Sequence, residues 1–195
     1  MKLKEGQLAV DFQVCDIYGT PIKLADFAGK KLMISFYRYA SCPLCNLRVH
    51  ELIQHFPAFN SKGLSLLAFF QSPDEGIRQY VGKQAAPFPI IADPNHEIYQ
   101  RYGVAPSWLG FGKAMAFKLP MAFQAVFRKG FLPGRMDGDK AMIPADFLIT
   151  PEQTIYRAYY GSDIGDHLPI KEIQSFLETD APTLEPERAT TGRSI

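Results

Sequence analysis

Residues 32–47 read Leu-Met-Ile-Ser-Phe-Tyr-Arg-Tyr-Ala-Ser-Cys-Pro-Leu-Cys-Asn-Leu, and this stretch decides the fold. The nearly unbroken apolar run at 32–37 is typical of a strand covered on both faces, which indicates α/β architecture. From Cys45 onward, apolar residues recur at helical spacing, and Pro43 stands where the first turn of a helix accepts proline. Cys42 and Cys45 are therefore predicted to lie where a buried strand is followed by an amphipathic helix.

Turn residues and apolar periodicity extend this pattern in both directions. The predicted strands are an N-terminal β-hairpin within residues 11–24, then 32–37, 64–70, 88–91, 145–149 and 154–160. The predicted helices begin near Pro43, Ser72, Asp93 and Pro169. Pro57 is expected to kink or end the first helix, because proline lacks the N–H that a helix interior needs. This succession predicts an α/β fold with a central mixed β-sheet flanked by helices.

The chain is predicted to consist of one domain that contains an insertion, followed by a tail. Residues 1–178 are predicted to form one domain, since 195 residues suffice for one full core. Residues 104–142 form an insertion rich in aromatic side chains, with helical spacing at 119–127 and several glycines that interrupt it. We expect this helical insertion to shape a lid or groove beside the active site; a dimer surface and a peripheral membrane contact are the alternatives. Residues 179–195 are polar and are predicted to be a disordered tail.

Bulk composition excludes several function classes. The formal net charge is +1, and the basic residues are scattered, so no nucleic-acid surface is predicted. No stretch is long and apolar enough to predict a membrane span. Glu5, Gly6 and Gln7 stand where a signal peptide needs apolar residues, which predicts a cytoplasmic protein. In a reducing compartment, a Cys-x-x-Cys pair indicates redox or metal chemistry rather than a structural disulfide.

Cys42 and Cys45 are the candidate catalytic pair. At the start of a helix, free backbone N–H groups and the macrodipole stabilise a thiolate, which is the form that attacks disulfides and peroxides. Arg38 and Arg48 are the candidate cations beside it. The alternative is half of a zinc site, but a structural zinc needs four ligands and the sequence has no second cysteine pair. We therefore predict a redox site that uses no metal and no organic cofactor.

Several motifs carry a family resemblance, namely residues 36–47, Gly29-Lys30, Asp93-Pro94, Tyr102-Gly103 and residues 143–149. With them the chain resembles the peroxiredoxin-like alkyl hydroperoxide reductase/thiol-specific antioxidant group of the thioredoxin superfamily. The likeness covers residues 6–103 and 141–178 and implies a thioredoxin-like fold. It also implies that Pro144 is a cis-proline at the start of the strand after the insertion, beside the active cysteines.

The resemblance leaves the attacking sulfur open. Typical members of the group show a proline, a threonine four residues on, and the peroxidatic cysteine three further, and these positions fall on Arg38, Cys42 and Cys45. That alignment implies that Cys45 attacks peroxide and that Cys42 then condenses with it. The helix start instead favours Cys42, which we expect to be exposed with the lower pKa, while Cys45 on the apolar helix face is partly buried and resolves.

The main functional prediction is an antioxidant thiol-disulfide oxidoreductase that reduces peroxides or disulfides. Its electrons would come from a thioredoxin- or glutathione-type donor, and a homodimer is a further expected partner. The alternative is a thioredoxin-fold binding or redox-sensing module that recruits a partner through the insertion. Cys15 is predicted to be a core residue, and Asp146 either a buried proton carrier or a solvent-facing carboxylate. Residues 165–167 are expected to cap the last helix, with a catalytic His167 as the alternative.

Overall fold

A five-stranded mixed sheet forms the centre of the computed structural model, which describes residues 1–117, 130 and 134–179. A two-stranded antiparallel hairpin precedes it, formed by β1 (Gln13–Cys15) and β2 (Pro21–Lys23). The strands of the main sheet, in chain order, are β3 (Lys31–Phe36), β4 (Leu64–Phe70), β5 (Ile90–Ala92), β6 (Ala145–Ile149) and β7 (Ile155–Tyr160). Their spatial order is β5-β4-β3-β6-β7. β3, β4 and β5 are parallel, β6 pairs antiparallel to β3, and β7 pairs antiparallel to β6, which confirms the predicted mixed sheet.

Five α-helices accompany the strands in the described part of the chain. They are α1 (Pro43–Ser61), α2 (Asp74–Gln79), α3 (Glu97–Arg101), α4 (Trp108–Phe117) and α5 (Ile170–Glu178). Short 3₁₀ turns cover Leu24–Phe27 and Val81–Gln84. Asp93 fixes the start of α3, because its carboxylate accepts hydrogen bonds from the backbone N–H groups of residues 97, 98 and 99. None of the described helices is long and apolar enough to cross a bilayer.

Alternation along β3 divides the core into two layers. Leu32, Ile34 and Phe36 pack with α3 and the N-terminal hairpin on one face of the sheet. Met33 packs on the other face, together with side chains of α1 and α5. Ser35 lies on this second face as well, because successive side chains of a strand point to opposite sides. A polar side chain is thus placed within the layer that the helices cover, close to where β3 ends.

The expectation that Pro57 ends the first helix is wrong, since α1 continues to Ser61. Pro57 itself is exposed, so its ring takes no space in the core. Two residues later, Phe59 is buried in the core and stacks on His55. Burial of this aromatic side chain offsets the lost hydrogen bond and keeps the last turn helical.

Only the ends of the insertion belong to the described residues. The helical stretch predicted at 119–127 and the predicted tail at 180–195 lie outside them. The first part of the insertion forms α4, where Gly110 allows close contact: a Cβ there would lie 2.7 Å from Cδ1 of Ile143 and 2.9 Å from the carbonyl oxygen of Ser162. Phe111 and Leu44 pack on a small cluster formed by Ile143 and Ile164. This contact brings α4 next to the cysteine motif.

Candidate active site

Cys42 is the N-cap residue of α1, and Pro43 occupies the first helical position. The backbone of Cys42 is extended (φ −68°, ψ 119°), so its sulfur turns back over the first turn and accepts a hydrogen bond from the N–H of Cys45 at 3.3 Å. Asn46 holds this loop, since its side-chain amide donates to the carbonyl oxygens of Ala40 and Cys42 at 2.6 and 2.9 Å. The helix start therefore points backbone N–H groups at one sulfur, which favours a negative charge there.

Arg38 is the cation beside that sulfur. Its Nη2 donates to Sγ of Cys42 at 2.8 Å, and its Nη1 donates to the carbonyl oxygen of Lys140 at 3.0 Å. The side chain is almost fully buried, so its charge acts on the sulfur with little screening by water. Its third donor nitrogen, Nε, has no hydrogen-bond partner among the described residues.

Arg48, the second candidate cation, is turned toward other groups. Its Nη1 contacts the carboxylate of Glu51 at 2.7 Å, and its Nη2 donates to the carbonyl oxygen of Leu168 at 2.6 Å. The structure thus brings Arg38, Cys42 and Cys45 together, while Arg48 ties α1 to the segment that precedes α5.

The two cysteines have opposite pKa shifts. Burial alone would raise the pKa of Cys42, but the hydrogen bond from the Cys45 thiol, the charge of Arg38 and the backbone N–H groups of Cys45 and Leu44 lower it to about 6. Burial raises the pKa of Cys45, and the hydrogen bond to Cys42 and the charge on Cys42 raise it well above its usual range. Near neutral pH the pair therefore holds one thiolate and one thiol, with the proton on Cys45.

Cys42 was expected to be exposed, and this expectation is wrong because its side chain has 0% exposure. The reason is tertiary: residues 134–141, from the end of the insertion, fold over the loop that carries Cys42. Ser41 donates to the carbonyl oxygen of Arg135 at 2.7 Å, and the contact of Arg38 with Lys140 closes the other end. A helix start is exposed only when no distant segment of the chain covers it.

The expectation of a cis-proline at Pro144 is also wrong, since no peptide bond in the described residues is cis. Pro144 is buried at the start of β6, and its carbonyl oxygen accepts from the N–H of Gly161 at 2.9 Å. An isolated antiparallel bridge joins Met142 to Pro106 and holds the preceding residues extended. Extended backbone before a proline suits the trans isomer, which is favoured by about 0.5–1 kcal/mol in any case.

A second polar cluster lies beneath the helices on β6, and it joins Asp146 and His167, which the sequence analysis considered separately. The buried carboxylate of Asp146 accepts from Ser35, its antiparallel partner on β3, and from the backbone N–H of Leu168 at 2.7 Å. Nδ1 of His167 lies 3.0 Å from the same carboxylate. Although burial acts to raise it, the pKa of Asp146 is lowered, mainly by His167 and further by Arg48 and Ser35. Of the two alternatives for Asp146 the structure shows the buried one, and its pairing with His167 was not predicted.

Two further expectations are corrected here. Residues 165–167 do not cap the last helix: its N-cap is Pro169, without a side-chain hydrogen bond, and Asp166 binds Ser162 and Tyr159 instead. Cys15 is exposed rather than buried, because it lies on the short two-stranded hairpin with little packed over it. Within the described residues, no group of three or more His, Cys, Asp or Glu side chains is arranged to hold a metal ion.

These observations define a class of protein: a thioredoxin-like α/β fold with a Cys-x-x-Cys dithiol at a helix start, which is the arrangement of a thiol oxidoreductase. The model of the AhpC/TSA family matches residues 6–158. The chain therefore belongs to the AhpC/TSA family.

Relatives of known name agree with this class. Over 146 residues the chain is 25% identical to a Mycobacterium tuberculosis (strain H37Rv) protein that carries the name peroxiredoxin Rv2521, covering 75% of this chain and 86% of that protein. It is 26% identical to Peroxiredoxin Bcp of Escherichia coli K12 over 52% of this chain and 65% of that protein. Among solved structures, that of peroxidoxin BcpB from Mycobacterium tuberculosis superposes with a TM-score of 0.63 at 14% identity, covering 90% of this chain and 96% of that one. The structural similarity supports the fold.

Proposed function

We propose that this protein is a dithiol peroxidase and disulfide reductase in which Cys42 attacks and Cys45 resolves. One observation carries the proposal: the buried sulfur of Cys42 receives hydrogen bonds from Arg38 and from the N–H of Cys45, and its pKa is lowered to about 6. Because the thiolate is the nucleophile, the sulfur that is ionised at neutral pH is the one that reacts first.

With a disulfide as substrate, the thiolate of Cys42 attacks one of its sulfur atoms. A Cys42–substrate S–S bond forms, the substrate S–S bond breaks, and the leaving sulfur takes a proton. Cys45 then loses its proton and attacks Cys42, which forms the Cys42–Cys45 disulfide and releases the second substrate thiol. Two electrons pass from the dithiol to the substrate.

With a hydroperoxide, the thiolate of Cys42 attacks the terminal oxygen. An S–O bond forms, the O–O bond breaks, and the leaving alkoxide takes a proton to become an alcohol. The sulfenic acid on Cys42 is then attacked by the sulfur of Cys45: the S–S bond forms, the S–O bond breaks, and water leaves. This assignment reverses the family alignment, in which the peroxidatic position falls on Cys45. The raised pKa of Cys45 argues against that alignment, because a neutral buried thiol is a poor nucleophile.

The cycle closes when an external thiol reduces the Cys42–Cys45 disulfide. We propose a thioredoxin- or glutathione-type donor, no metal or organic cofactor, and a cytoplasmic location. The exposed Cys15 supports this location, since a free surface thiol persists in a reducing compartment. Fractionation of cells followed by immunodetection tests the location, and a membrane-associated or extracytoplasmic pool would contradict it.

Rapid mixing of the reduced protein with hydrogen peroxide, in the Cys45→Ser background, tests the attacking sulfur. Sulfenic acid should form on Cys42 and accumulate, because the resolving thiol is gone. A dimedone adduct located by mass spectrometry identifies the residue. If the reaction instead requires Cys45, and the Cys42→Ser protein forms the sulfenic acid at the rate of the unaltered chain, the assignment of Cys42 is wrong.

A binding role for the insertion is the second candidate, and one observation favours it. Trp108 and Leu109 on α4 are 71% and 73% exposed, which is high for neighbouring large apolar side chains. A second copy of this chain is the occupant that we propose to test, by light scattering of the unaltered protein and of a Trp108→Ser, Leu109→Ser variant. If both are monomeric at all concentrations, the dimer is excluded.

A further inference from the structure

Asn46 holds the backbone of the Cys42 loop through more than one hydrogen bond. It lies on the first turn of α1 and is almost completely buried. Its side-chain Nδ2 donates to the carbonyl oxygens of Ala40 and Cys42, and its backbone N–H donates to the same oxygen of Cys42 at 3.0 Å. An amide group carries two hydrogens, so both are used on the loop. Two carbonyl groups of the loop are therefore directed at Asn46.

Gln84 decides which way the side-chain amide of Asn46 faces. It is the last residue of the 3₁₀ turn Val81–Gln84. Its Nε2 donates to Oδ1 of Asn46 at 3.0 Å and to the backbone carbonyl oxygen of Asn46 at 3.2 Å. If the amide of Asn46 were turned over, its oxygen would face two carbonyl oxygens and its NH₂ group would face another NH₂ group. Every hydrogen bond of the Asn46 side chain would then be lost.

The position of Gln84 is not one that stability alone favours. Its Oε1 is buried and has no hydrogen-bond partner in the described part of the chain, which is destabilising. The next residue, Ala85, has φ 50° and ψ 52°, a left-handed conformation that residues with a Cβ rarely adopt. Two unfavourable features are thus adjacent at the end of one turn. Such features persist where the surrounding contacts require them, and they are enriched at functional sites.

We propose that Asn46 and Gln84 are positioning residues for the attacking sulfur: Gln84 orients the amide of Asn46, and Asn46 holds the carbonyl groups that fix the Cys42 loop. This inference rests on the proposed function, in which Cys42 attacks. The hydrogen bonds of both amides end on backbone oxygens or on each other. Their effect on the sulfur therefore passes through the backbone.

The path from the amides to the sulfur is one dihedral angle long. Cys42 has ψ 119°, and at this angle its sulfur turns back to accept from the N–H of Cys45 at 3.3 Å. Rotation about ψ moves the sulfur relative to the first turn of α1, and the carbonyl group of Cys42 moves with the same rotation. Because Asn46 holds that carbonyl group, it resists the rotation. Its release would lengthen the contact between N–H and sulfur and weaken the support that the helix start gives to a thiolate.

The test follows alkylation of Cys42 by iodoacetamide as a function of pH, with the modified residue located by mass spectrometry. In the unaltered protein the rate should inflect near the lowered pKa of about 6. Asn46→Ala should move the inflection upward by about one pH unit, so that alkylation at pH 6 slows by about fivefold. Gln84→Met keeps the length of the side chain and removes its donor, and it should move the inflection by about half a unit, which slows alkylation at pH 6 by about twofold.

The double variant Asn46→Ala, Gln84→Met distinguishes a shared path from two independent effects. If Gln84 acts through the amide of Asn46, its substitution should add less than about 0.2 pH unit once that amide is gone, because residues that share one path are not additive. Shifts that add in full would mean that Gln84 acts on the sulfur independently, and the proposed order of action would be wrong.

Leu52→Ala and Gln54→Ala are the matched controls on the same helix. Leu52 is fully buried, so its substitution should lower the midpoint of urea unfolding and leave the inflection in place. This control separates a loss of stability from a loss of positioning. Gln54 is an exposed amide, and its substitution should change neither quantity.

Circular dichroism verifies that each variant is folded. If Asn46→Ala does not fold, Gln84→Met carries the test, because Gln84 is only half-buried. The positioning role is wrong if the folded variants keep the inflection of the unaltered protein, or if Leu52→Ala moves it as far as they do. The proposed function fails separately, if neither hydrogen peroxide nor a small disulfide yields a Cys42–Cys45 bond in the unaltered protein. Alkylation needs no turnover, so the two failures are distinguishable.

Discussion

Two buried anions lie in the layer covered by α1 and α5, and they differ in what oxidation does to them. The Cys42 thiolate is held by Arg38 and by the start of α1. The Asp146 carboxylate is held by Ser35, His167 and the N–H of Leu168. Both have lowered pKa values despite burial. In the cycle that we propose, oxidation consumes the first anion and leaves the second, so only the donors around Cys42 change partners during turnover.

This difference distinguishes the surroundings of Cys42, which we propose to react, from those of Asp146, which hold the fold together. The donors around Cys42 stabilise a charge that is present only in the reduced protein. The donors around Asp146 join β3, β6 and the segment before α5 in every redox state. We therefore expect changes near Cys42 to act on reactivity, and changes near Asp146 to act on stability.

The largest effect is expected for the cysteines. Cys42→Ser should lower peroxide and disulfide turnover by about a thousandfold or more, because a hydroxyl at this position is not ionised. Cys45→Ser should also stop multiple turnover, but it should keep the first chemical step and trap the Cys42 product. Stopped-flow kinetics of a single turnover measures the two separately. Equal single-turnover rates in the two variants would contradict the division of roles.

The next largest effect is expected for Arg38, whose substitution tests what lowers the pKa of Cys42. Arg38→Met should raise the pKa of Cys42 by about one unit or more, and its alkylation at neutral pH should therefore slow by about twofold or more. In the unaltered protein, the iodoacetamide rate of Cys42 should rise with pH through about 6, since the lowered pKa means that the thiolate appears above that value. In the variant, this inflection should move to higher pH.

Arg48→Met is the matched control for Arg38→Met. It also removes a buried guanidinium, but one that contacts Glu51 and Leu168 rather than a sulfur. It should lower stability and leave the inflection of the Cys42 profile in place. If Arg48→Met moves the inflection as far as Arg38→Met does, the specific contact of Arg38 does not control the pKa of Cys42.

Substitution of Asp146 should lower the free energy of unfolding rather than the reactivity of Cys42. Asp146→Asn should cost about 2–4 kcal/mol of unfolding free energy near neutral pH, because donors placed around a buried carboxylate lose their charged acceptor. The lowered pKa of Asp146 means that its contribution is fully present above the unfolded value of about 3.9 and is lost as pH falls through the folded value.

Urea denaturation at neutral pH and at about pH 3 checks the sign of this effect. The unaltered chain should lose more stability on acidification than Asp146→Asn does, since the variant has no carboxylate to protonate. An unchanged pH dependence in the variant would mean that Asp146 does not supply this stability. The Cys42 alkylation profile serves as the control and should keep its inflection in Asp146→Asn.

The smallest effect is expected for Cys15→Ser. Cys15 is exposed on the hairpin, so the substitution should change the unfolding free energy by less than about 0.5 kcal/mol and leave turnover unchanged. Thermal unfolding and the peroxide assay measure both quantities. A marked loss of turnover would show that a third sulfur takes part in the cycle.

Elements with strong local signals were predictable. The strand at 64–70 matches β4, and the hairpin at 145–160 matches β6 and β7, because apolar runs bounded by turn residues specify strands locally. The position of the cysteines at the start of α1 followed from Pro43 and the spacing after it. Pro57 was misjudged because packing of Phe59, which is not visible in local sequence, keeps the helix intact.

The surroundings of the two sulfurs were only partly predictable. The helix start alone predicts a lowered pKa for Cys42. The apolar face of the same helix predicts that Cys45 is buried. The depth at which Cys42 is buried was not predictable, because the segment that covers its loop, residues 134–141, lies about ninety residues further along the chain. The Asp146–His167 pair joins residues that are 21 positions apart and that no local pattern connects.

The sequence by itself determined the strands of the sheet, the start of the first helix and the presence of a dithiol there, since these depend on periodicity and on neighbouring residues. Only the tertiary structure decided that Arg38 faces Cys42 while Arg48 does not, and that residues 134–141 fold over the Cys42 loop. Arg38 and Arg48 stand on either side of the cysteines in sequence, but their side chains point in different directions because the backbone turns into α1 between them. Contacts between distant segments depend on how whole layers pack together, and this packing sets the burial and charge that control the chemistry of a thiol.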